Sequence, residues 1–88
     1  MDIAARFGNN LIRQRHAAEL SQEELANRAE IHRTAISKFE KGERLPRLDT
    51  LVKLAGSLMT TPEQLLEGIA WEPTVTKSGS FKVAKPKK

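Results

Sequence analysis

The segment Ser21-Gln22-Glu23-Glu24 opens a series of punctuation marks that restrict this chain to short helices. Ser21 followed three residues later by Glu24 is a capping box. The hydroxyl accepts from a free backbone N–H of the first turn, and the carboxylate reaches back to the N–H of the serine. Thr61, Pro62 and Gln64 give the same kind of signal, with proline at the first helical position, where its missing N–H costs nothing. Stops follow closely. Gly42 and Gly68 both come just after helical patterns, and glycine accepts the left-handed conformation that ends helices. Helices this short are marginal in water, so the chain must be held by packing of their apolar faces.

Apolar spacing fills in the segments between these marks. In "IAARFGNNLIRQRHAAEL", Phe7, Leu11, Ala18 and Ile12 or Leu20 recur at helical spacing with arginines between them. Leu25, Ala26 and Ala29 form the face of a second helix of about two turns. A third covers roughly residues 32 to 41, and "ERLP" after Gly42 is a loop. A fourth runs from about 47 to 58, with Leu48, Leu51, Val52, Leu54, Ala55 and Leu58 expected inward and Asp49 suited to the helix dipole. Leu65 and Leu66 belong to the fifth. The fold class is therefore all-α, five short helices in about 70 residues, with one modest core.

Charge and composition narrow the function. The chain has 88 residues, no cysteine and a formal net charge of +4. Disulfides and cysteine metal sites are excluded, and His16 and His32 stand too far apart to suggest a zinc cluster. No metal and no cofactor are expected. The basic excess is uneven: residues 77 to 88 carry five lysines and no acid, whereas residues 1 to 76 carry ten basic and eleven acidic residues. A nucleic-acid surface on the helical part must therefore come from a local arrangement of charge. The absence of a leader pattern and of any long apolar run leads us to expect no membrane association and a cytoplasmic protein, nucleoid-associated when bound to DNA.

From residue 71 the composition shifts. "WEPTVTKSGSFKVAKPKK" loses helical periodicity, and two β-prone runs, "TVT" and "SFKV", flank Lys77 to Ser80. We divide the chain into a helical domain, 1–70, and a tail, 71–88, which forms either a small β-hairpin or an unstructured basic arm.

The third helix carries the most informative pattern. With the line between Ile36 and Phe39 as the buried direction, Thr34, Lys38 and Lys41 fall nearly opposite, Ser37 lies round toward them, and Arg33 and Glu40 flank the core. Taken alone, such a face is what any wet helix shows. Its context is a preceding short helix carrying the small residue Ala26 and a connection of only a few residues around Glu30 and Ile31. Two helices so joined make a helix-turn-helix.

Over roughly residues 7 to 68 the sequence resembles the Xre family of phage-repressor-like and Cro-like helix-turn-helix regulators. The stretch is "FGNNLIRQRHAAELSQEELANRAEIHRTAISKFEKGERLPRLDTLVKLAGSL", and the signature is four blocks in order: "LSQEELA", "ISKFEKGERLP", "LDTLVKLA" and "TPEQLLEG". The resemblance implies a five-helix lambda-repressor-like domain whose third helix enters the major groove of double-stranded DNA. Arg33, Thr34 and Lys38 match the base-reading positions, with His32 and Ser37 at the margin. Arg33 or Lys38 can donate to guanine O6 and N7, and the Thr34 methyl can meet that of thymine. Ser21 and Gln22 match phosphate-contacting positions at a helix N-terminus. Lys41, Arg44 and Arg47 add charge beyond the reading helix. Arg15 and Glu40 match an ion pair that fixes that helix. Glu30 and Met59 stand where the family usually has glycine at positive φ, and His32 where it usually has a better cap.

The resemblance also implies a two-fold dimer reading half-sites about one helical turn apart. Leu66, Ile69, Trp71, Phe81 and Val83 are the dimer-interface candidates. The resulting expectation is a DNA-binding transcription regulator, a repressor acting as a homodimer. The alternative is an antitoxin-like autoregulator whose C-terminal tail binds a protein partner. An enzyme is disfavoured, because no paired carboxylates, nucleophile arrangement or phosphate loop is present.

Overall fold

In a computed structural model, residues 2–74 and 78–84 are described. Five helices come first: α1 (Ile3–Ala17), α2 (Gln22–Ala29), α3 (Arg33–Glu40), α4 (Leu48–Ser57) and α5 (Pro62–Leu65). An antiparallel hairpin follows, β1 (Ile69–Glu72) with β2 (Ser80–Val83), pairing Ile69 with Val83 and Trp71 with Phe81. The fold is the expected all-α five-helix domain with a small C-terminal hairpin.

The starts of the helices follow the sequence signals. The Ser21 hydroxyl accepts from Glu24 N at 3.0 Å, and the Glu24 carboxylate accepts from Ser21 N at 2.9 Å, which completes the box. That second bond is the leading cause of a Glu24 pKa below its ordinary value. Thr61 accepts from Gln64 N at 3.2 Å, but among the described residues the reciprocal half from the Gln64 side chain does not form. α1 has a cap of its own, Asp2, which accepts from Ala5 N at 2.8 Å.

Four helices end in one way. Leu20 N donates to Arg15 O, Ile31 N to Ala26 O, Glu43 N to Lys38 O and Thr60 N to Ala55 O, each closing a last turn. The residue just before each of these donors takes the left-handed conformation: Glu19 (φ 57), Glu30 (φ 57), Gly42 (φ 73) and Met59 (φ 56). Only one of the four is glycine. A left-handed L-residue costs on the order of 1 kcal/mol, and the two hydrogen bonds at each closure hold it there.

Phe7, Leu11, Leu25, Ile36, Leu54 and Leu65 are fully buried, and Phe39 meets the ring of Phe7 edge-on at 6.4 Å. Each such side chain removed from water contributes about 1.5–3 kcal/mol before entropy is counted. Two inward expectations fail. Leu48 is 76% exposed and Val52 is also exposed. The core stripe of α4 is Leu51, Leu54, Ala55 and Leu58; Val52 sits a third of a turn off it, and Leu48 opens the helix beyond the end of the core.

The first strand also differs from expectation. It is "IAWE" at 69–72 rather than "TVT", of which Val75 and Thr76 lie outside the described residues, as do Lys77 and residues 85–88. The reason lies on α1. The Asn10 amide, fully buried, donates to Leu65 O and Glu67 O at 2.9 Å each. The buried Arg6 guanidinium donates to Glu67 O at 3.1 Å and to Ala84 O. Ala84 N in turn donates to Gly68 O at 2.8 Å. The strand begins where this polar seam turns the chain, and Gly68, at φ 81, gives the guanidinium room.

Candidate nucleic-acid interface

The helix α3 is held in place at its two ends. At its start, the left-handed Glu30 turns the chain, Ile31 packs against the core, and His32 takes the extended N-cap conformation without a side-chain cap bond. At its finish, Gly8 lets α1 approach closely: a Cβ there would stand 2.6 Å from Phe39 O and 2.7 Å from Glu40 O. Ile36 and Phe39 are buried between these fixed points. His32, Arg33, Thr34 and Lys38 are exposed, while Ser37 is half-buried.

One polar network ties this unit together. Glu40 receives the Arg15 guanidinium as a fork, Nε to Oε2 at 2.6 Å and Nη2 to Oε1 at 3.0 Å. The Gln22 amide donates to the same Oε1 at 2.9 Å, and Arg15 Nη1 donates to Leu20 O at 2.8 Å. Glu40 and Arg15 are only 5% and 13% exposed in their side chains, so the pair is largely shielded from water. α1, α2 and α3 thus meet at one carboxylate. A charge-assisted fork of this kind fixes angle as well as distance.

The cations around the exposed face of α3 are arranged unequally. Arg44 lines one shallow groove with His32, Thr34 and Lys38, so it stands beside the exposed side chains of α3. Lys41 is exposed at the end of α3. Arg47, also exposed, pairs with Asp49 at 2.9 Å; this contact is the leading cause of a lowered Asp49 pKa and a raised Arg47 pKa. Ser21 is occupied as a cap, and the Gln22 amide group is held by Glu40. Leu66, Trp71 and Phe81 are exposed on another part of the surface, whereas Ile69 and Val83 are half-buried, Ile69 against the core.

Sequence reasoning missed Arg6, Gly8 and Asn10, each of which positions α1 against α3, α5 or the hairpin. The available signal was a row of non-apolar residues, Arg6, Asn10 and Arg13, at helical spacing beside the Phe7–Leu11 stripe. Such a row reads as a wet face unless its partners are known.

Residues 11–65 match the family described as Helix-turn-helix. Control protein C.SmaI of Serratia marcescens is 41% identical over 66 residues, 75% of this chain and 79% of that protein. The restriction-modification controller protein C.AhdI from Aeromonas hydrophila is similar in structure, with a TM-score of 0.69 at 35% identity, over 70% of this chain and 94% of that one. The P22 c2 repressor, solved in complex with a synthetic operator, gives a TM-score of 0.66 at 27% identity, again over 70% and 94%.

Proposed function

Because the chain belongs to the helix-turn-helix family of Xre-type DNA-binding transcription regulators, we propose that it reads a specific double-stranded operator with α3 and represses transcription as a homodimer in the cytoplasm. The observation that carries this reading is the anchored helix whose outward residues are all polar: His32, Arg33, Thr34 and Lys38 are exposed over a buried Ile36–Phe39 base. Arg33 and Lys38 supply donors for guanine edges, Thr34 supplies a methyl, and Ser37 and His32 reach the margins. Each good base contact discriminates by about 1–3 kcal/mol.

Phosphate contacts set the register. Arg44 and Lys41 flank the reading face, Arg47 adds charge shared with Asp49, and Ser21 and Gln22 present the N-terminus of α2. Glu40 lies near this polyanion site, and the Arg15 fork neutralises it. One eight-residue helix covers too little sequence for an operator, which favours two copies on half-sites about one turn apart.

Selection of bound fragments from random duplex DNA, repeated with Arg33→Ala and Lys38→Ala, tests the reading. Wild type should return one motif, and each variant should relax it at one or two positions. A wild type that returns no motif refutes base reading by α3.

A further inference from the structure

Acidic side chains are unfavourable beside a polyanion, and the helix-turn-helix treats its acids unequally. Glu24 is closed into the capping box, and Glu40 receives the Arg15 fork and the Gln22 amide. Glu30 has no such arrangement. It is exposed, and among the described residues its carboxylate has neither a hydrogen bond nor an ion-pair partner. Yet among the described residues it is the one acid lining the shallow groove that also holds His32, Thr34, Lys38 and Arg44.

The root of this side chain is fixed. Glu30 sits at φ 57, Ile31 N donates to Ala26 O at 3.0 Å, and Ile31 packs against the core. The carboxylate is therefore presented from the turn that leads into the N-terminal end of α3. That is the end whose residues meet base edges when such a helix lies in the major groove.

We infer that Glu30 is a specificity-determining residue, whose carboxylate accepts a hydrogen bond from the N4 amino group of a cytosine at the edge of the operator contact nearest the α2–α3 turn. The inference rests on the base reading proposed for α3 and adds an acceptor to a set of donors. Arg33, Lys38 and Arg44 offer only donors, so none of them can satisfy a base amino group, whereas an ionised carboxylate offers only acceptors. Cytosine presents a lone amino donor on its major-groove edge. Adenine sets its amino group beside N7, an acceptor that opposes the second carboxylate oxygen, and guanine and thymine present acceptors alone. The guanine of the same base pair keeps O6 and N7 for Arg33 or Lys38.

On any other sequence the carboxylate approaches phosphates and base acceptors without a donor. It therefore weakens non-specific binding, which is largely electrostatic, and widens the gap between the operator and other DNA. The cations beside it in the groove offset its approach to the duplex, so loss of the Arg33 and Lys38 contacts removes the cytosine preference with the rest.

Selection from random duplex DNA with the full chain tests this. Wild type should return a cytosine beside the position that Arg33→Ala relaxes. Glu30→Gly should relax that cytosine alone, lowering its preference over the other bases by roughly five- to 150-fold. The same variant should bind random duplex several-fold more tightly at low salt, an advantage that fades as salt rises. Glu30→Gln, which keeps an acceptor and gains a donor, should shift the preference at that position toward adenine, whose N6 and N7 suit an amide, with the melting temperature unchanged. If both variants return the wild-type motif, the inference is overturned while reading by Arg33 and Lys38 stands. In that case a rise in random-duplex affinity would leave the carboxylate as a repulsive charge only, and no rise would turn it away from DNA. A wild type without a motif overturns base reading by α3 and this inference with it.

Discussion

Two helices of this protein carry a polar row beside an apolar stripe, and the two rows have opposite fates. On α1, Arg6 and Asn10 are buried and spend their donors on the carbonyls of Leu65, Glu67 and Ala84. On α3, Arg33, Thr34 and Lys38 are exposed, with no side-chain hydrogen bond or ion pair recorded among the described residues. Polarity on a helix face therefore does not say whether the face belongs to the architecture or to a partner. What distinguishes them is whether the chain brings its own acceptors: the carbonyls freed at the end of α5 cap one row, and among the described residues none covers the other.

Substitutions should separate the two rows cleanly. Asn10→Ala leaves two carbonyls facing a void and should destabilise the fold by about 2–4 kcal/mol in urea unfolding. A loss below about 0.5 kcal/mol, the range of ordinary surface changes, would mean that the seam is dispensable. Glu40→Ala acts at the junction of the rows, freeing Arg15 and Gln22 together. It should cost roughly 2–3 kcal/mol, somewhat less than a fully buried pair because water reaches Arg15, and should lower DNA affinity as α3 loosens. An unchanged melting temperature would count against the fork as the fixture of α3.

A smaller effect of opposite sign is expected at the turn that aims the exposed row. Glu30→Gly relieves a left-handed L-residue at some cost in unfolded-chain entropy, so the net gain is about 0.5–1 kcal/mol. A destabilised Glu30→Gly would show that the glutamate side chain contributes to the turn. The smallest effect belongs to the exposed row itself: Arg33→Ala with Lys38→Ala should change stability by less than about 0.5 kcal/mol while abolishing sequence preference in DNA binding. A large loss of stability in that double variant would assign the row to the architecture after all.

What the sequence made legible follows the same division. The caps at Ser21 and Thr61, the stops at Gly42 and Gly68 and the buried line through Ile36 and Phe39 are local rules, satisfied within a few residues, and they appear where the spacing put them. The left-handed turns at Glu30 and Met59 were anticipated only through the family pattern, and Glu19, which ends α1 in the same way, was not anticipated. Leu48 and Val52 were misjudged because apolar spacing cannot say where the core stops. Arg6, Gly8 and Asn10 depend on carbonyls 31 to 78 positions away, and no window of helical periodicity reaches so far.

The Arg6 clamp has a consequence for the order of events in the cell. Its acceptor on Ala84 is made 78 residues after the arginine itself, and the partners of Asn10 come 55 and 57 residues after the asparagine. During synthesis the caps and last turns of the helices need only near neighbours, but the polar row of α1 must stay hydrated until residues 65 to 84 arrive. Contacts of such long sequence separation are the slow ones to close. The segment around Ala84 therefore completes the burial of the first helix, and a ribosome stalled before Ala84 would hold a chain whose α1 is not yet sealed against its own acceptors.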